Sequence, residues 1–161
     1  MPVINLETTI NAPITRVFDL ARSIDLHKTS AIGTNEEAIE GKTSGLIEFG
    51  ETVTWRAKHL GVYQNLTVKV VEFEKPYEFS DIMLKGAFKS MKHTHRFKEN
   101  GNATLMLDSF NFESPFGVLG NIANLLFLKN YMKTFLVNKN LVLKNVAEGN
   151  EWKKILNNKM G

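Results

Sequence analysis

The feature that most restricts the fold is a change of hydrophobic period along the chain. From Glu37 to Phe112 apolar and polar residues alternate at period two, broken by Gly41, Gly45, Gly50, Gly61, Gly86 and Asn100-Gly101. This pattern predicts about six strands joined by hairpins. Val3 to Ile10 makes one more strand before it. A single long helix is predicted after it, from about Val118 to Val146, with Gly149 placed to end it. A sheet cannot bury a whole apolar face alone, and this helix is the only element long enough to cover it.

Between the first strand and the alternating block lie two short helices. Ala12-Pro13 opens the first, because proline is tolerated at a helix start, and Ile14, Val17, Phe18 and Ala21 give it one apolar face. Ser23 can cap the second, which carries Ile24 and Leu26. The predicted fold class is therefore α+β: a curved antiparallel sheet of about seven strands, two short helices after strand 1, and a long C-terminal helix over the concave face. The 161 residues suit one domain, 1–148, followed by a tail, 149–161, in which Trp152, Ile155 and Leu156 could form a short apolar turn.

Composition narrows the function classes. Without cysteine there is no disulfide, thiolate metal site or cysteine nucleophile. The N-terminus has neither a basic region nor a long apolar run, so no signal peptide is expected and the reading is cytoplasmic. Val118 to Val137 is the most apolar stretch, but Asn121, Asn124, Lys129, Asn130 and Lys133 argue against stable membrane insertion. The net charge of +3 comes with scattered lysines and no nucleic-acid motif, so no nucleic-acid partner is expected. There is no GxSxG and no P-loop, and the sequence calls for no cofactor. Oligomeric state stays open.

Strand alternation sorts the faces. Glu51, Val53, Trp55, Ala57 and His59 share the inward face of one strand, opposite Thr52, Thr54, Arg56 and Lys58. Phe79, Asp81 and Met83 point inward from another; Met91, His93, His95 and Phe97 from the next; and Thr104, Met106, Asp108, Phe110 and Phe112 from the last. Taking Asn100-Gly101 as a two-residue hairpin turn sets Glu99 against Asn102, Phe97 against Thr104, His95 against Met106 and His93 against Asp108. Directly opposed Cβ atoms lie roughly 4.5–5.5 Å apart, so His93 and Asp108 could hydrogen-bond. An unpaired buried polar group costs roughly 1–3 kcal/mol. So many on one inner face imply a structural network, a cavity holding a ligand's polar end, or a metal or catalytic centre.

The residues so assembled resemble a known family. Thr9-Ile10-Asn11-Ala12-Pro13 with Val17-Phe18 is similar to the opening of the polyketide cyclase/dehydrase and START-like (SRPBCC) superfamily. Gly50-Glu51-Thr52-Val53-Thr54-Trp55, His59-Leu60-Gly61, Phe79-Ser80-Asp81-Ile82-Met83, Gly86-Ala87-Phe88 and His93-Thr94-His95-Arg96-Phe97 resemble a bacterial ligand-binding subgroup of it. The resemblance runs from Val3 to about Val146 and implies a helix-grip fold with a deep cavity between sheet and final helix. It implies no single activity and no metal.

The leading expectation is a protein that binds a small apolar or amphipathic molecule, lipid-, aromatic- or polyketide-like. Its candidate ligand-binding residues are Glu51, Trp55, His59, Asp81, Met83, Met91, His93, His95, Met106, Asp108, Phe110, Met132 and Phe135, with Val68, Val70, Phe97 and Leu125 adding apolar lining. The alternative is a cyclase- or dehydratase-type enzyme in which His93 is the acid/base and Asp108 its orienting partner. A third reading is a metal site built on His93-x-His95 with His59, Asp81 or Asp108. His27 is expected at the surface or the cavity mouth, and Leu60–Tyr63 and Phe112–Gly117 are expected to flank that mouth.

Overall fold

The computed structural model describes residues 2–114 and 122–157. The elements are β1 (Val3–Ile10), α1 (Ile14–Ala21), α2 (Ile24–Ser30), β2 (Glu37–Gly41), β3 (Thr52–His59), β4 (Val62–Glu74), β5 (Glu78–Lys85), β6 (Ser90–Asn100), β7 (Ala103–Glu113), α3 (Ile122–Glu148) and α4 (Trp152–Asn157). The order is the predicted one. Residues 118–121, where the long helix was expected to begin, lie outside the described residues. No helix among the described residues is long and apolar enough to cross a membrane.

All seven strands form one antiparallel sheet in the order β1-β7-β6-β5-β4-β3-β2. Register shifts between Ala38 and Glu40 on β2, and between Thr67 and Val68 and between Val70 and Glu72 on β4, bend the sheet. α1 starts at Pro13, which occupies the N-cap position, and α2 is capped by Ser23, whose Oγ accepts from the Leu26 amide at 3.2 Å. α3 ends before Gly149.

α3 presents Met132, Leu136, Lys139, Leu143 and Ala147 as its buried line, a helical spacing of three and four. Met132 and Leu136 join Val53, Trp55, Val68, Val70, Met91 and Phe110 in one apolar cluster. Leu143 and Ala147 join Ile10, Val17, Phe18, Phe79, Phe97 and Met106 in a second. Leu125 and Phe135 are only half-buried at the edge of the first. α4 packs Trp152, Ile155 and Leu156 onto the second, with the Arg16 guanidinium 3.9 Å above the Trp152 ring.

The β6–β7 hairpin departs from the expected register. Asn100 pairs with Ala103, so the turn is Gly101-Asn102. Gly101 alone takes a positive φ, +62°, as a turn with glycine at its first central position requires. Every pair moves by two residues. His95 faces Asp108 and His93 faces Phe110. The faces themselves survive, because a shift of two preserves the alternation.

Two smaller expectations also change. Thr54, read on the outward face with Arg56 and Lys58, is buried there, as is Thr94 farther along the sheet. Each satisfies its hydroxyl across the sheet, Thr54 with Thr67 at 2.9 Å and Thr94 with Ser80 at 3.0 Å. Glu51 precedes β3, and its carboxylate accepts from the Glu48 amide at 2.8 Å with Lys42 Nζ at 3.6 Å. Met83 keeps the expected inward direction: it stands opposite Val68 and packs against the first apolar cluster.

Candidate functional site

Between the concave sheet, α2 and α3 lies a cavity of about 440 Å³. Of the thirteen candidate ligand-binding residues, Trp55, His59, Asp81, Met91, His93, His95, Met106, Phe110, Met132 and Phe135 line it. Glu51 does not, for the reason given, and Met83 packs against the apolar cluster without joining the wall. Asp108 is buried behind the histidines rather than on the wall. Leu60 of the β3–β4 turn reaches the cavity and is well exposed on its other side. Of the other expected mouth segment, Phe112 is fully buried in the first apolar cluster, and residues 115–117 lie outside the described residues.

The four histidines of the wall gather, with other polar groups, in two clusters. The first is built on three adjacent strands. Asp81 on β5 pairs with His93 on β6, and His95 pairs with Asp108 on β7. Aromatic neighbours hold the rings: His95 stacks on Phe79 at 4.4 Å, and His93 meets the edge of Phe110 at 5.3 Å. Asp108 Oδ2 accepts from Asn140 Nδ2 on α3 at 2.6 Å. Its Oδ1 lies 2.6 Å from His95 Nδ1 and 3.3 Å from His93 Nε2. These approaches are close but misaligned, and all three buried atoms lack a hydrogen bond of good geometry. Burial, aided by His95, pushes the His93 imidazole below its ordinary value. Burial opposes the charge of Asp108, but the two imidazoles outweigh it and hold the carboxyl far below the usual range.

The second cluster escaped the sequence reading almost entirely. Lys139, on the buried line of α3, sets its Nζ 3.3 Å from Glu36 Oε1 and 2.7 and 2.8 Å from the two ring nitrogens of His27. His27 Nδ1 lies 2.6 Å from Glu36 Oε1, and the ring stacks on Trp55 at 4.2 Å. So His27 belongs to the cavity wall, its side chain 36% exposed. His59 Nδ1 meets Tyr131 Oη at 2.8 Å beside this group. Burial disfavours the Glu36 carboxylate, yet Lys139 and His27 bring its pKa down to about 2. Burial lowers Lys139 against the pull of Glu36, and lowers His27 with help from Lys139. Lys139 could have been found from spacing, since it falls between Leu136 and Leu143 on an apolar helical line. Glu36, Tyr131 and Asn140 carried no such signal.

No protein-family model matches the sequence, and no curated protein does. Among solved structures, a START superfamily protein from Mycobacterium smegmatis superposes with a TM-score of 0.70 at 11% identity, covering 91% of this chain and 97% of that one. TTHA0849 from Thermus thermophilus gives 0.68 at 18% identity, covering 88% and 97%. The ginseng major latex-like protein 151 from Panax ginseng gives 0.66 at 14% identity, covering 92% and 98%. With a curved seven-stranded antiparallel sheet gripping one long C-terminal helix, the chain has a helix-grip fold, similar to that of the START superfamily protein.

Proposed function

We propose that this protein binds a small, largely apolar molecule carrying a polar end. The observation that supports this most directly is the cavity: about 440 Å³, with largely apolar walls and its four histidines gathered in two polar clusters. Ligand sites combine these traits, apolar area for affinity and a few placed polar groups for orientation. A packed core of the same residues would have closed the space.

The test is direct. Native mass spectrometry of protein from its own host should show a bound organic mass, and an apolar naphthalene-sulfonate dye should quench Trp55 on binding. The small Ala57 side chain, buried on the cavity wall, offers a second check. Ala57→Phe should weaken dye binding at least about tenfold, at a stability cost no greater than the roughly 1–3 kcal/mol of overpacking. Dye affinity unchanged in Ala57→Phe would place the dye elsewhere and remove the support.

One observation favours an acid/base reading beside binding. Asp108 lies 2.6 Å from His95, so the imidazole it orients would be His95 more than His93. Turnover in an aromatic and polyketide substrate panel, lost in His95→Gln with dye binding intact, would support this reading.

A further inference from the structure

We propose that Asp81, His93 and His95 form a binding site for a divalent transition-metal ion on the cavity wall, with Asp108 as the outer carboxylate that orients both imidazoles. The inference stands apart from the apolar-ligand reading. Among the described residues, one donor atom from each of these three side chains lies within 4.8 Å of the other two. Their backbone positions are set by β5–β6 pairing and not by a loop. A site on paired strands holds its geometry better than one on mobile connections.

Asp108 supplies the second, independent observation. Its Oδ1 sits beside His93 Nε2 and His95 Nδ1, while Asn140 secures Oδ2. An acceptor behind each ring favours a proton on that nitrogen, which leaves His93 Nδ1 and His95 Nε2 as the lone pairs for an ion. Metal-binding histidines are oriented by carboxylates in this way. The same arrangement accounts for the three buried atoms without an aligned partner. One donor atom from each of the three side chains lies within 4.8 Å of the others, against the roughly 3.4 Å edge of a tetrahedral shell with bonds of about 2.1 Å.

The donor set also selects the ion. Two imidazoles and one carboxylate suit zinc, cobalt, nickel or ferrous iron, whereas calcium and magnesium favour all-oxygen shells. Three protein donors leave at least one position for water or a ligand atom from the cavity. The second cluster does not compete, because the Lys139 ammonium already lies against His27 and Glu36.

Chelator-treated full-length protein should be titrated with zinc chloride by calorimetry, and with cobalt chloride by visible absorption. One equivalent should bind with micromolar or tighter affinity, and bound cobalt should give a low-symmetry absorption band. Asp81→Asn and His95→Gln should each weaken binding at least about 100-fold. Asp108→Asn should weaken it by about 10–100-fold, as removal of an outer carboxylate does. Glu151→Gln, an exposed surface carboxylate outside the cavity, should leave affinity unchanged. Wild-type protein that binds no stoichiometric ion overturns the proposal, whatever the variants do. Binding that survives both Asp81→Asn and His95→Gln overturns it equally. Dye binding by the chelated protein reads the apolar cavity separately, so the two proposals fail independently.

Discussion

Replacing Lys139 with methionine is expected to destabilise the protein by about 3–5 kcal/mol, the usual result of removing one partner from a buried ion pair. The Lys139 side chain is 10% exposed and that of Glu36 is 5% exposed, so solvent does little to screen either. Without the ammonium, the Glu36 carboxylate stays buried beside a histidine that burial keeps short of protons. It must then take up a proton or draw water into the cavity. The double variant Lys139→Met with Glu36→Gln removes both charges and keeps an acceptor for His27. It should regain most of the loss, because neutral replacement of a whole buried pair is often nearly neutral. Urea unfolding of the four proteins of this cycle gives the coupling directly. A single-variant loss below about 1 kcal/mol, the level of an exposed pair, would show that the cavity is wet enough to screen these charges.

That pair also marks where sequence reading stops. Alternation reports which face of a strand a residue occupies, and it put His93, His95, Asp81 and Asp108 on one side of the sheet correctly. It cannot report which residues stand opposite each other, since that depends on which two residues make the turn. Choosing Asn100-Gly101 in place of Gly101-Asn102 moved Asp108 from opposite His95 to opposite His93. The neighbourhood survived because diagonal positions on one face still lie within side-chain reach.

The misplacement of Glu51 has a different origin. It stands just before β3, where the ladder has not begun and alternation does not decide the side-chain direction. Lys139 was missed because the helix line was read only through its apolar letters. Glu36 lies in the connection from α2 to β2, which has no period at all and turns through Gly33 and Asn35 at φ +77° and +49°. A glutamate there reaches the cavity because of that irregular backbone, which no periodicity announces.

The second cluster should also make the protein acid-sensitive above the range where carboxylates usually begin to matter. Its members converge from several elements: His27 on α2, Glu36 before β2, His59 on β3, and Lys139 and Tyr131 on α3, with Asp81 of β5 within electrostatic reach. Burial holds His27 and His59 below their ordinary value of 6.5, although Glu36 pulls the other way. The unfolded chain then binds more protons than the native one, so stability rises with pH. The histidine contribution is fully present above 6.5 and is lost as pH falls toward the folded values. Glu36, lowered from 4.5 to about 2, adds stability that is present above 4.5 and disappears as pH falls to about 2. Lys139 is lowered from 10.5 by burial, so its contribution too grows toward alkaline pH. No member of the cluster opposes this trend except Tyr131, raised by burial from 10.0 and silent near neutrality. Melting temperature, measured with chelator present, should therefore fall steadily from about pH 7 to about pH 4. His27→Gln should flatten that slope below pH 6.5, and the Glu36→Gln, Lys139→Met double variant its continuation below pH 4.5. A profile level across the histidine range would mean that His27 and His59 charge freely in the folded state. Their nitrogens would then be in contact with bulk water, not with the closed wall of a cavity.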